Sequence, residues 1–84
     1  MNIVDIKNSI LKSFSVFSFE YESKIGGIDP MSNTEFVLWY GNDKNLTVNS
    51  IEKAVNTPIF NDKSLTELLN ENLITKENFI EYNF

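Results

Sequence analysis

With no His and no Cys, the first candidates for acid-base chemistry in this chain are carboxylates. Asp29, Glu35, Asp43 and Asp62 each stand at a junction between apolar runs. Two carboxylates held close together can divide acid and base work when their surroundings push the two pKa values apart. The same oxygens could ligate a hard cation. No spacing brings any two of the four together, and no EF-hand pattern surrounds them, so they read as solvated turn residues. Other reactive types are missing. Without His there is no ready general base or common zinc ligand. Without Cys there is no thiol nucleophile, thiolate metal site or disulfide. Without Arg there is no planar fork for phosphate or guanine. An enzyme built on carboxylates alone would need a pocket, for which a chain of 84 residues has little room. The expectation is a non-enzymatic protein with no catalytic residues, no cofactor and no metal.

Three other features invite a functional reading. Lys63-Ser64 follows Asp62 but lacks the glycine-rich loop that cradles phosphate, so Ser64 reads as a helix cap. Gly26-Gly27 lacks the spacing of a dinucleotide fingerprint and marks a backbone site, either a bulge or close approach within a strand or the turn itself. The third feature is the run Glu35-Phe36-Val37-Leu38-Trp39-Tyr40, closed by Gly41-Asn42-Asp43. It contains the only Trp and is apolar on both strand faces. Phe36, Leu38 and Tyr40 point one way, and Val37 and Trp39 the other. Phe14 and Val16 are candidates to extend the Trp39 face. An uncovered apolar patch of this kind marks a partner site, although Trp is usually well buried, which favours Trp39 as the core anchor with Tyr40 at the rim. The candidate partner-binding residues are Val37, Trp39, Tyr40 and Asp29.

The elements around this run follow from periodicity. Residues 1–84 read as one domain, because a second core would have too little surface to bury. Ile3, Ile6, Ile10 and Phe14 recur at helical spacing and predict an amphipathic helix over 3–13. Phe17, Phe19 and Tyr21 alternate with Ser18 and Glu20 and predict a strand. Glu22-Ser23-Lys24 is the expected hairpin tip, and Lys24 to Ile28 the return strand, ended by Asp29-Pro30. The run 35–40 is the third strand, and Leu46-Thr47-Val48 a short edge strand. Asn49 with Glu52 predicts a capped helix over Ile51, Ala54 and Val55, stopped before Pro58. Ser64 with Glu67 is a second capping box, opening a helix with Leu65, Leu68, Leu69 and Leu73 as its stripe. The tail, 79–84, reads as a helical turn started at Thr75 or as a strand at the sheet edge. The expected fold class is α+β in the order α-β-β-β-α-α: an N-terminal helix, an antiparallel three- to four-stranded meander sheet and two C-terminal helices on one face.

Three motifs, Gly27-Ile28-Asp29-Pro30, Trp39-Tyr40-Gly41 and Pro58-Ile59-Phe60-Asn61-Asp62-Lys63-Ser64-Leu65, resemble those of a family of small proteins from low-GC Gram-positive bacteria. The resemblance covers about residues 15–70. Members of that family carry an Asp-Gly where this chain has Asn61-Asp62. No activity comes with the resemblance.

Net charge is −5, and the lysines are dispersed, so nucleic acid is not an expected partner. No apolar run reaches the ~20 residues that span a bilayer. The start of the chain lacks a basic and then apolar leader, so a cytoplasmic setting is expected. The functional expectation is a module that binds an unknown protein partner, or a second copy of itself, through an aromatic sheet face. The alternative is an acidic inhibitor of the kind mobile elements carry, mimicking nucleic-acid charge through Glu20, Glu22, Glu35 and Asp43.

Overall fold

Residues 2–83 are described by a computed structural model. Helix α1, Ile3–Ser13, starts at Asn2, whose side chain accepts the Asp5 N–H, and buries Ile6 and Ile10. It stops at Phe14, which takes a left-handed φ of 52° and bonds back to the Ile10 carbonyl. Strand β1, Phe17–Tyr21, then places Phe17, Phe19 and Tyr21 in the core.

Glu22 and Ser23 form a two-residue turn with φ of 51° and 67° and send the chain back as β2, Lys24–Ser32. The expected stop at Asp29-Pro30 is wrong, since β2 runs through Pro30. The reason is the phase of the ladder. Gly41 N–H bonds the Ile25 carbonyl at 2.8 Å, so Ile25, Gly27 and Asp29 share their backbone bonds with the next strand. Pro30 lies out of phase with these and turns its nitrogen toward β1. Pairing with β1 has already ended at Ile28, so its missing N–H breaks no bond there. The glycine pair lies in mid-strand, which excludes the turn reading of Gly26-Gly27.

Strand β3 is Glu35–Tyr40, with Phe36, Leu38 and Tyr40 buried. A turn at Gly41, with φ of 66°, leads to the edge strand β4, Lys44–Val48. Helix α2, Ile51–Asn56, is capped by Ser50, which accepts the Lys53 N–H; the expected cap at Asn49 is one residue early. Phe60 and Lys63 exchange backbone bonds around Asn61-Asp62, a second tight turn with φ of 55° and 66°. The capping box that opens α3, Leu65–Asn70, forms in full: Ser64 Oγ accepts from Glu67 N–H at 3.1 Å, and Glu67 Oε1 from Ser64 N–H at 3.0 Å. The helix ends before Leu73, which is 40% exposed, and Ile74 is buried in its place.

Both readings of the tail hold in succession. Thr75 caps a 3-10 turn, Lys76–Asn78, and β5, Phe79–Glu81, follows beside β1. Phe84 lies outside the described residues. The result is an α+β fold with a five-stranded antiparallel sheet in the order β4-β3-β2-β1-β5, one strand more than the upper expectation. One continuous core joins the sheet to all three helices. The Cα extents are 29 × 27 × 18 Å; the short axis fits one sheet and one helix layer, and among the described residues no third layer lies behind the sheet. Among the described residues no helix is long and apolar enough to cross a membrane.

Candidate functional site

Strand alternation settles which side chains face away from the helices. Phe17, Phe19, Ile28, Phe36 and Leu38 are fully or almost fully buried in the core. Their neighbours in sequence therefore form the open face: Ser18 and Glu20 on β1, Ile25, Gly27 and Asp29 on β2, Glu35, Val37 and Trp39 on β3, and Asn45 and Thr47 on β4. The register aligns them in rows. Asn45, Trp39, Gly27, Ser18 and Glu81 make one row; Thr47, Val37 and Asp29 make the next.

Gly27 explains how Trp39 sits. A methyl group there would lie 2.5 Å from Trp39 Cη2 and 2.4 Å from the Phe17 carbonyl oxygen. Only glycine leaves the strand surface low enough for the indole to cross from β3 onto β2. Gly26 does the same on the core face, where its missing side chain admits the ring of Phe60. The close approach expected at this pair is made by neighbouring backbone, the Phe17 and Trp39 carbonyl oxygens, together with an aromatic ring on each side. Trp39 and Val37 are half-buried, and Ile25 beside them is 50% exposed.

Ser18 is fully buried despite belonging to the open face. Its hydroxyl donates to Glu81 Oε1 at 2.9 Å and accepts from Glu81 N–H at 3.1 Å. This double bond to the edge strand fixes the bulge between β1 and β5 and holds a carboxylate at the end of the Trp39 row.

Three of the four predicted partner-binding residues, Val37, Trp39 and Asp29, come together on this face. Tyr40 does not. It is 3% exposed on the helix side, where its hydroxyl donates to the Tyr21 carbonyl at 2.8 Å and its ring meets Phe60 edge-on. Burial, and then the charge of Glu22, raise its pKa above the ordinary value of 10.0. Lys24 Nζ lies 5.4 Å from the same ring. Phe14 belongs to the end of α1 and Val16 to the half-buried link before β1.

The carboxylates first considered for catalysis stay apart. Asp29 is on the open face, Glu35 at one end of β3, Asp43 in the turn beyond its other end, and Asp62 in the tight turn before α3. A hollow at the turn end of the sheet holds Asp43 among Lys24, Ile25, Trp39 and Gly41, and one beside α2 holds Glu35 with Lys53, one carboxylate each. Among the described residues no three Asp or Glu side chains are placed to hold a metal. Lys63 Nζ is bonded to Glu71 Oε1 at 2.9 Å, which raises the Lys63 pKa, and Ser64 is occupied as a cap.

Sequence reasoning missed Ile25 and the Ser18–Glu81 pair. Ile25 carried a usable signal, since it is two residues from Gly27 on the same strand. Glu81 carried none until β5 was placed. No protein-family model, curated protein or solved structure matches the chain.

Proposed function

We propose that this protein is a non-enzymatic interaction module that binds a protein partner through the open face of its sheet. The observation that carries this reading is the strip of Ile25, Val37 and the Trp39 ring, exposed or half-exposed on a face that no helix covers. An aromatic ring already fixed in place loses little entropy on binding, and such rings dominate binding energy at interfaces. The separation of the carboxylates supports the non-enzymatic part. A cytoplasmic setting accords with a chain that has no Cys to pair.

The acidic-mimic reading has less support. Glu22 sits in the first tight turn and bonds Asn61, Asp43 lies in the β3–β4 turn, Glu35 is at the far end of β3, and only Glu20 is central to a face. They do not follow one another like phosphates along a strand.

The test is affinity capture from the native host with the wild-type protein, with Trp39→Ala and with Ile25→Thr, alongside light scattering of each. Trp39→Ala should lower retention of a captured partner by about tenfold or more. Ile25→Thr keeps a β-branched residue in the strand and serves as the variant whose fold is least at risk. Retention unchanged in both folded variants rejects the open face as the binding surface.

A further inference from the structure

The open face carries one sign of charge. Glu20 is in register with Ile25, Asp29 with Val37, and Glu81 with Ser18 at the end of the Trp39 row; Glu35 begins the strand that bears Val37 and Trp39. None of the seven lysines takes an outward position on these strands, although Lys24 lines the hollow at the turn end with Ile25 and Trp39, and Lys53 the one beside Glu35. Lys7 and Lys12 are on α1, Lys53 is on α2, Lys63 is bonded to Glu71, and Lys76 opens the 3-10 turn. Lys24, near the Tyr40 ring, and Lys44, in register with Tyr40, leave the sheet on the helix side, and Lys24 also borders the hollow at the margin by Trp39. The positive charge is thus carried by the helix layer and the sheet margins, and the face itself carries carboxylates.

From this we infer that the occupant of the open face is a basic protein segment. Its aliphatic side chains lie along Ile25 and Val37, its lysines or arginines reach Glu20, Asp29, Glu35 and Glu81, and one cation rests on the Trp39 ring. This rests on the reading of the face as the interaction surface. The same charge pattern argues against a second copy, because two such faces in contact would oppose carboxylates to carboxylates, with lysines only at the margins. It also argues against nucleic acid, whose phosphates would meet only negative charge.

Trp39 is the only tryptophan, so its fluorescence reports on this face alone. The probes are three short extended peptides in which valine alternates with arginine, with glutamate or with threonine, titrated into the full chain. The arginine peptide should change Trp39 emission, with an affinity that falls as salt is added, and the other two should not. The folded double variant Glu20→Gln/Asp29→Asn should bind the arginine peptide about fivefold more weakly, the worth of two exposed ion pairs. An equal response to the threonine or glutamate peptide, a double variant that binds as wild type, or light scattering that shows a dimer with Trp39 shielded would each overturn the inference. A partner captured through Trp39 whose binding is insensitive to salt would overturn it too, while leaving the interaction reading intact. No response to any probe, together with no capture, would end both.

Discussion

Trp39 and Gly27 act as one unit. The indole has its position because the strand beside it has no side chain in its path, and Gly27 keeps its place because any larger residue strikes both the ring and the Phe17 carbonyl. Gly27→Ala should therefore destabilise the fold by about 2–4 kcal/mol, read from urea unfolding. Adding Trp39→Ala should recover only part of that loss, because the clash with the fixed Phe17 backbone, 2.4 Å from the new methyl, remains. Full recovery would show that the ring alone sets the constraint. Tyr40 illustrates the opposite fate for an aromatic one residue away. Tyr40→Phe removes its buried bond to Tyr21 and should cost about 1–2 kcal/mol. Its raised pKa means that the folded state resists ionisation of this phenol. That contribution is fully present below the ordinary value of 10.0 and is lost as pH rises through the folded pKa. The wild-type urea midpoint should accordingly fall above about pH 10, and less steeply in Tyr40→Phe. Parallel pH curves for the two proteins would sink this assignment.

At the scale of the elements, the two tight turns are where residue preference and backbone conformation disagree. Ser23 and Asp62 both hold φ near 67°, a region that suits glycine. Glu22 and Asn61 bond each other between the two turns, so each turn supports the other. Asp62→Gly relieves the left-handed strain. It should stabilise the protein by about 0.5 kcal/mol, after allowing for the added freedom of the unfolded chain. A lower unfolding midpoint would show that the Asp62 side chain matters more than its φ. The helices and first strands were legible because Ile6, Ile10, Phe17 and Phe19 repeat at clean periods. The end of β2 was not, because a proline usually closes a strand. Only the ladder phase, set by Gly41 and Ile25, shows that Pro30 stands where no N–H is needed.

At the scale of the whole molecule, β5 closes the core. Phe79 is 9% exposed and packs edge-on against Phe17, with ring centroids 4.8 Å apart. Truncation after Asn78 removes that ring and leaves the β1 edge bare. Loss of a buried Phe alone costs about 3–5 kcal/mol, comparable to the whole stability expected of a chain this size. The truncated chain should lose its cooperative thermal transition, as followed by circular dichroism. A sharp transition near the wild-type temperature would refute the role given to β5. The amino-acid sequence by itself determined the fold class, the order of the elements and the two faces of β3, because those depend on periods that local sterics impose. It also placed Asp29, Val37 and Trp39 among the candidate binding residues. Only the tertiary structure decided that Tyr40 is buried, that β5 pairs with β1, and that the outward face of the sheet carries carboxylates but no lysine position. Each of those depends on which elements become neighbours, and long-range packing and register choose them rather than any local pattern.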